Sequence, residues 1–240
     1  MVWIKICGIT NTSDAEIAVR CGADALGFVF STDSPRRIGL EAASGIISYL
    51  RDIAAAGGTG TAGAGASRVK TAEIVGLFVN EDQEKIRSFS QQLKLDYVQL
   101  SGDEDIDYIN KLKETMPAVK VIKAIRVRKS PEGYLEHLET VVRGFETTAD
   151  HILMDSYHPE KYGGTGKTFD ADTARRFGAL PGFILSGGLD PLNIAEAIRT
   201  IRPYGIDASS RLEASPGKKD HRLVKSFIEA ARQAAGVEHG

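Results

Sequence analysis

Short apolar runs alternate with longer amphipathic segments along this chain, and this alternation limits its fold more than any other sequence feature. Eight such runs occur, each too short for a helix and each followed by turn or capping residues. Strict alternation of strands and helices predicts a parallel sheet. The predicted strands are Val2–Ile6, Ala25–Phe30, Ile74–Phe78, Tyr97–Leu100, Val121–Val127, Ile152–Met154, Phe183–Leu185 and Ile206–Ala208.

Helical patterns fill the intervals between these strands, and Asn11, Thr12 and Ser13 supply N-cap chemistry for the first helix. Pro191 suits the first turn of the seventh. Eight strand–helix units in 240 residues predict an α/β protein, a (β/α)8 or TIM barrel, with residues 1–240 forming a single domain. A doubly wound open sheet is the alternative that the pattern leaves open. The predicted helices are Asp14–Arg20, Leu40–Ala56, Glu81–Leu93, Glu104–Met116, Pro131–Arg143, Asp172–Phe177, Pro191–Ile201 and Lys219–Ala234.

One segment, Ala54–Ser67, interrupts this alternation because it consists almost entirely of Ala, Gly and Thr. Such a composition buries little surface, and its glycines make ordering entropically costly. We expect a flexible Ala/Gly-rich insertion at about residues 54–67, between the second helix and the third strand. A position just before a strand places it at the end of a barrel away from the chemistry.

Charge and composition restrict the possible partners and the compartment. The net charge is −2 with both signs interspersed, which does not fit a nucleic-acid or membrane-surface binder. The N-terminus lacks a signal-peptide pattern, and no apolar run approaches the roughly 20 residues of a membrane span. Cys7 and Cys21 are the only cysteines, which fits a reducing cytoplasm. The five histidines show no metal-ligand spacing.

The first strand ends in a pair of residues that could carry chemistry. Side chains alternate along a strand, so Lys5 and Cys7 project to the same side. A neighbouring ammonium group lowers the pKa of a thiol and favours the thiolate. Cys7 could equally be a small core residue, as free cysteines often are. This segment alone does not decide between the two interpretations.

The ends of the last three predicted strands carry polar or glycine-rich segments. Asp155 ends the sixth strand, and Tyr162–Lys167 follows with three glycines. Ser186–Pro191 follows the seventh strand, and Asp207–Ser210 ends the eighth with two hydroxyls. Active sites of such barrels lie at this end, and phosphate commonly binds after strands seven and eight. Three such endings together predict a phosphate site better than any one of them.

Arg36 lies in the loop Ser31–Ile38 after the second strand, which Pro35 stiffens. A guanidinium at this place could bind a carboxylate through two hydrogen bonds. On the residues alone, however, a surface arginine is the better interpretation.

Taken in order, these motifs resemble the phosphoribosylanthranilate isomerase family of tryptophan biosynthesis over nearly the whole chain. The match includes Lys5–Thr10, Gly22–Phe30, Ser34–Arg36, Val75–Asn80, Val98–Leu100, Lys123–Arg126, Gly163–Phe169, Leu185–Leu189 and Asp207–Ser210.

The resemblance implies a barrel enzyme that uses no cofactor and no metal. It implies an Amadori rearrangement of N-(5′-phosphoribosyl)anthranilate to 1-(2-carboxyphenylamino)-1-deoxyribulose 5-phosphate by general acid–base catalysis. The family's base corresponds to Cys7 and its acid to Asp155, while Arg36 is expected to hold the anthranilate carboxylate.

We further expect Lys5 and Asp207 to take part in substrate binding, and Lys5 to lower the pKa of Cys7. The expected partner is a small phosphosugar, and the expected assembly is a monomer or a homodimer. The residues expected to bind phosphate are Gly164, Gly166, Gly187, Gly188, Ser209 and Ser210.

Two positions depart from the family pattern without removing a proposed catalytic group. Ser101 stands where the family usually has histidine, and Arg211 stands where glycine is common. Arg211 could add a phosphate contact or point outward, and we expect it to point outward. Two other functions remain open. One is the related imidazole-carboxamide ribotide isomerase, which has aspartate in place of Cys7; the other is a barrel that binds phosphosugars without turnover.

Overall fold

Eight parallel strands close into a barrel in which β8 pairs with β1, so the predicted (β/α)8 barrel is confirmed and an open sheet is excluded. The structure is a computed structural model that describes residues 1–30, 34–56, 71–127, 134–156 and 171–236. The barrel strands are β1 (Trp3–Cys7), β2 (Ala25–Val29), β3 (Glu73–Phe78), β4 (Tyr97–Leu100), β5 (Lys120–Val127), β6 (His151–Ser156), β7 (Phe183–Ser186) and β8 (Gly205–Ala208).

A helix follows each barrel strand along the chain, although the last one begins only after a short hairpin. Pro191 does not begin α7 as expected but lies in the turn before it, because that helix starts at Ile194. The helices are α1 (Thr12–Cys21), α2 (Leu40–Ala55), α3 (Gln83–Leu93), α4 (Ile106–Thr115), α5 (Tyr134–Glu146), α6 (Ala171–Phe177), α7 (Ile194–Ile201) and α8 (His221–Gly236).

The helices begin where the sequence offers side chains that accept hydrogen bonds from the first backbone N–H groups. Asn11 caps α1 by accepting from the backbone of Asp14, as predicted. Asp82 and Asp105 cap α3 and α4 in the same way. Gly22 ends α1 with φ of 100°, a conformation that glycine adopts without steric cost.

Among the described residues, two apolar cores hold the barrel, one on each face of the sheet. The larger core lies between the strands and the surrounding helices. The smaller core fills the barrel interior, and its members are Trp3, Ala25, Val75, Tyr97, Ile122, Ala124, Leu153 and Ile184. Because strand side chains alternate, the residues two positions beyond this inner core face the carboxyl-terminal opening of the barrel.

The chain between β8 and α8 forms a hairpin that the apolar pattern does not predict. A single 3₁₀ turn (Ser210–Leu212) leads into β9 (Glu213–Ser215), which pairs antiparallel with β10 (Lys218–Lys219). Lys219 is therefore a strand residue, and the expectation that it begins the last helix is wrong. These two strands are short and mostly polar, so they lack the apolar run by which the barrel strands are recognised.

The predicted insertion is described only at its beginning. Ala54 and Ala55 are the last residues of α2, and Ala56 is its C-cap. The remainder of the insertion, as far as Ser67, lies outside the described residues.

Candidate active site

Strand register brings several of the predicted site residues into one row at the carboxyl-terminal end of the barrel. Going around the barrel, Arg126 pairs with Asp155, Asp155 with Ser186, Ser186 with Asp207, and Asp207 with Lys5. Cys7 lies two residues beyond Lys5, on the same face of β1. The register therefore explains how residues from five strands face one polar site.

Cys7 is buried at the end of β1, and its thiol lies against Gly27 of the neighbouring strand. A Cβ added at Gly27 would come within 2.7 Å of the Cys7 Sγ, which is closer than real Cβ atoms approach. The missing side chain of Gly27 is thus what makes room for the thiol. Sequence reasoning missed this glycine because its role depends on the pairing of two strands.

Lys5 and Asp207 form a buried ion pair beside the thiol. The Lys5 Nζ lies 2.8 Å from the Asp207 Oδ1, and the side chains are 0% and 7% exposed. The approach falls outside hydrogen-bond angles, and both atoms lack a hydrogen-bond partner among the described residues. Burial disfavours the Lys5 ammonium, but Asp207 and Cys7 outweigh it and raise the pKa of Lys5. A buried ion pair whose facing atoms lack hydrogen bonds is typical of functional sites.

The thiol of Cys7 is influenced by several charges at once. Burial is the largest influence and raises its pKa, Lys5 opposes this, Asp207 raises the pKa further, and Lys219 lowers it. The balance leaves the pKa of Cys7 above its ordinary value. Lys5 therefore acts in the predicted direction, but burial outweighs it.

Asp155 lies near the end of β6, next to Arg126 and Ser186 in the row. Burial raises the pKa of this carboxyl group, and the charge of Asp207 raises it further, against the opposing effects of Arg126 and Lys5. The pKa is raised overall, which is the direction required of a group that must donate a proton near neutral pH.

Arg36 is held in place by a residue that the sequence analysis did not single out. Its Nε and Nη2 atoms each donate to a different carboxylate oxygen of Glu213, both at 2.7 Å. Its aliphatic stem crosses Gly8, where a Cβ would lie 2.6 Å from the Arg36 Cδ. Gly8 also has φ of 79°, so both its space and its conformation require glycine. The guanidinium therefore lies close to the end of β1.

The residues predicted to bind phosphate are only partly described. Gly187 and Gly188 follow β7 with φ of 93° and 66°, a conformation that favours glycine. The Ser209 hydroxyl donates to the carbonyl of Cys7 at 3.0 Å, and Ser210 begins the 3₁₀ turn after β8. Gly164 and Gly166 lie outside the described residues.

Ser101 and Arg211, which depart from the family pattern, both make polar contacts. Ser101 accepts a hydrogen bond from the Gln99 side chain at 3.1 Å, and its carbonyl accepts one from Arg126 at 3.3 Å. Arg211 is 39% exposed in its side chain and pairs with Asp190 at 3.4 Å, so it points outward.

Neither a metal centre nor a membrane span is found in the part of the chain that the structure describes. Within it, no three His, Cys, Asp or Glu side chains are grouped to hold a metal ion. The helices of that part are also too short or too polar to cross a membrane.

Comparison with known proteins connects this barrel and its polar site to one family. The family model described as N-(5'phosphoribosyl)anthranilate (PRA) isomerase matches residues 62–230. A curated relative from Trichlorobacter lovleyi, named N-(5'-phosphoribosyl)anthranilate isomerase, is 41% identical over 235 residues, which is 98% of this chain and 100% of the relative.

Two solved structures support the same relationship. The crystal structure of phosphoribosyl anthranilate isomerase from Thermotoga maritima has a TM-score of 0.78 and 39% identity, covering 97% of this chain and 100% of the other. A phosphoribosyl anthranilate isomerase in complex with reduced 1-(o-carboxyphenylamino)-1-deoxyribulose 5-phosphate has a TM-score of 0.74 and 35% identity over the same shares.

The fold and the site together define a (β/α)8-barrel protein with a polar site at the carboxyl ends of its strands. Within that class, the chain belongs to the N-(5'-phosphoribosyl)anthranilate isomerase family.

Proposed function

We propose that this chain catalyses the Amadori rearrangement of N-(5′-phosphoribosyl)anthranilate to 1-(2-carboxyphenylamino)-1-deoxyribulose 5-phosphate in tryptophan biosynthesis. The observation that carries the proposal is the placement of Cys7 and Asp155 around the buried Lys5–Asp207 pair, in a member of this family. Both groups can exchange protons, and they come from strands β1 and β6, so a substrate can lie between them.

The first step uses Asp155 as the general acid. The neutral carboxyl group gives its proton to the ribose ring oxygen while the bond between that oxygen and C1 breaks. The nitrogen lone pair forms a C1=N iminium, which carries the positive charge. Burial favours the neutral carboxyl group of Asp155, which therefore holds a proton for this step to higher pH than an exposed aspartate would.

The second step uses Cys7 as a general base and not as a nucleophile. The thiolate removes the proton from ribose C2, and the C–H electron pair forms the C1=C2 bond of an enolamine while the nitrogen becomes neutral. The enolamine then gains a proton at C1 and loses the C2 hydroxyl proton to give the ketone. Because burial raises the pKa of the thiol, we propose that the cationic iminium beside it promotes its ionisation, with the thiol proton passing to water.

Binding is assigned to the charged groups beside this pair and to the glycine-rich segments of the sequence. Arg36 holds the anthranilate carboxylate. Lys5 and Asp207 place one positive and one negative charge beside the ribose. The phosphate group binds at the loops after β6, β7 and β8, through Gly164, Gly166, Gly187, Gly188, Ser209 and Ser210.

We also propose the wider setting of this activity. The reaction needs neither a cofactor nor a metal, since proton transfers and the shifts of electron pairs within the substrate that accompany them account for every bond that changes. The partner is the small phosphosugar, not nucleic acid or membrane, and residues 1–240 form one domain. The chain acts in the cytoplasm as a monomer or a homodimer.

A fluorescence assay that follows the loss of phosphoribosylanthranilate tests the proposal. The wild type should turn over the substrate, and Cys7→Ser should lose at least about 100-fold in kcat. Cys21→Ser is the matched control, because Cys21 is the other cysteine and ends α1 outside the site. A wild type that binds the substrate in calorimetry without turnover would overturn the proposal.

A further inference from the structure

The hairpin after β8 carries two buried charged residues that the proposed mechanism does not use. The side chains of Glu213 on β9 and Lys219 on β10 are 4% and 0% exposed. The Lys219 Nζ donates to the Glu213 Oε1 at 2.9 Å. Enclosing two charges carries a desolvation cost that their attraction only partly offsets, so a buried pair is weak evidence for stability and calls for another explanation.

Glu213 fixes the orientation of the Arg36 guanidinium. The Nε and Nη2 atoms of Arg36 each meet one oxygen of this carboxylate at 2.7 Å. Two parallel hydrogen bonds between planar groups fix the plane of the guanidinium as well as its position. Glu213 is fixed in turn by Lys219, which binds one of the same carboxylate oxygens.

Lys219 connects the hairpin to the strand that carries the thiol. Its Nζ also donates to the Ser209 carbonyl at 3.2 Å, and the Ser209 hydroxyl donates to the Cys7 carbonyl at 3.0 Å. Its backbone N–H donates to Asp14 at 2.8 Å, which holds the strand in place. The hairpin turn is attached nearby, since the Thr10 hydroxyl donates to the Gly217 carbonyl.

The charged residues around Cys7 show where positive charge lies near the thiol. Lys5 on β1 is matched by Asp207 on β8, and that pair has no net charge. Arg36, Glu213 and Lys219 are two cations sharing one carboxylate, so together they carry one positive charge. Asp155 on β6 adds a group whose raised pKa favours its neutral form. Lys219 therefore acts on the thiol in addition to Lys5, and the Arg36–Glu213–Lys219 group leaves one positive charge near the end of β1.

We propose that Glu213 and Lys219 are positioning residues of the active site. Glu213 sets the plane of the Arg36 guanidinium for the substrate carboxylate. Lys219 holds Glu213 and Ser209 in place beside Cys7 and supplies a second positive charge near its thiol. This inference rests on the proposed isomerase function for its effect on turnover, but its effect on the thiol can be measured without turnover.

Two variants and a matched control separate these roles. Glu213→Gln keeps the shape of the side chain and removes its charge, so KM for phosphoribosylanthranilate should rise at least about tenfold, with a smaller change in kcat. Lys219→Met should make the thiolate of Cys7 harder to form, so kcat/KM at neutral pH should fall. Lys218→Met is the control, because Lys218 is the exposed neighbour on the same strand and should leave both quantities unchanged.

A direct titration of the thiol provides a second readout. In a Cys21→Ser background, thiolate absorbance near 240 nm reports Cys7 alone, with Cys7→Ser/Cys21→Ser as the blank. The pKa of Cys7 should be higher in Lys219→Met than in Lys218→Met, because a nearby cation has been removed. If Lys219→Met does not fold by circular dichroism, Lys219→Gln is titrated in its place.

The inference is overturned if Glu213→Gln keeps the wild-type KM, or if the Lys219 variant titrates as Lys218→Met does. Failure of the proposed function looks different, because the wild type itself would then show no turnover. The thiol titration would still decide whether Lys219 acts on Cys7.

Discussion

The two ends of the barrel interior are built from the same strands but have opposite chemistry. On β1, Trp3 faces the amino-terminal end, whereas Lys5 and Cys7 face the carboxyl-terminal end. On β6, His151 faces the amino-terminal end and Asp155 faces the carboxyl-terminal end. The amino-terminal end is closed by stacked rings. The carboxyl-terminal end holds the buried Lys5–Asp207 ion pair, whose facing atoms lack hydrogen-bond partners among the described residues.

The aromatic end satisfies its polar atoms within the protein. The Trp3 Nε1 donates to Glu73 at 2.7 Å, and the His151 Nδ1 lies 3.2 Å from the Gly182 carbonyl. The His151 ring lies 4.7 Å from that of Tyr204 and 5.7 Å from that of Tyr97. This end therefore stabilises the fold, while the other end holds the charged groups of the site. The variants below test that division.

The largest expected effect is at the charged end. Asp155→Asn keeps the shape of the side chain but removes the acidic proton, so kcat should fall by about 10²- to 10⁴-fold. The melting temperature should not fall, since a buried carboxyl group with a raised pKa adds no stability at neutral pH. Steady-state kinetics and a thermal melt on the same sample check both points. An Asn variant with wild-type kcat would contradict the role of the acid.

The reverse pattern is expected at the aromatic end. Trp3→Ala removes a large side chain that is 9% exposed, which should lower the free energy of unfolding by about 3–5 kcal/mol. The kcat of the remaining folded protein should stay within about twofold of the wild type, because the substitution lies at the opposite end of the barrel. Urea unfolding followed by circular dichroism gives the first quantity. A kcat loss as large as that of Asp155→Asn would remove the contrast between the two ends.

A smaller effect is expected for Gly27→Ala, which tests the space for the thiol. The added Cβ would lie 2.7 Å from the Cys7 Sγ, so the thiol must move by several tenths of an ångström. Displacement of a reacting group on the scale of 1 Å can cost about 100-fold, and we expect a loss in kcat of about 10-fold here. Gly45→Ala is the control, since it has open space around it and lies on α2. Equal kcat in the two variants would show that Gly27 does not make room for the thiol.

The smallest expected effect is a pH dependence of stability from the aromatic end. Burial lowers the pKa of His151 in the folded protein below its ordinary value of 6.5, so the unfolded chain binds the proton more tightly. His151 therefore contributes stability above about pH 6.5 that is lost as the pH falls through the folded pKa. Asp155 acts in the opposite direction, because its raised pKa favours the folded state at low pH.

Urea unfolding midpoints, measured at several pH values from 7.5 to 5, isolate the contribution of His151 to stability when the wild type is compared with His151→Phe. The wild type should lose more stability than the variant over this range. Parallel curves for the two proteins would mean that His151 does not titrate differently on folding.

Much of the barrel could be predicted from the sequence, because each buried strand is a short apolar run. The predicted β4 was found with the same bounds, and β7 gained only Ser186. The hairpin was missed because Glu213 and Lys219 belong to short polar strands, whose burial arises from contacts with distant parts of the chain.

The candidate site was predictable only in part, for a related reason. Cys7 and Asp155 come at strand ends, so their approximate place followed from the fold. The space left by Gly27 depends on strand register, and the raised pKa of Cys7 depends on how deeply the closed barrel buries it. Neither the space beside the thiol nor the depth of its burial can be read from the neighbouring residues in the sequence.

The most direct test of the central claim, that Cys7 removes the C2 proton, uses substrate deuterated at ribose C2. We predict that Cys7→Ser turns over the unlabelled substrate at least about 100-fold more slowly than the wild type. Deuterium should slow the variant further, because proton removal by the weaker base then limits the rate. Wild-type turnover in Cys7→Ser, or a slow variant that is indifferent to deuterium, would contradict the account.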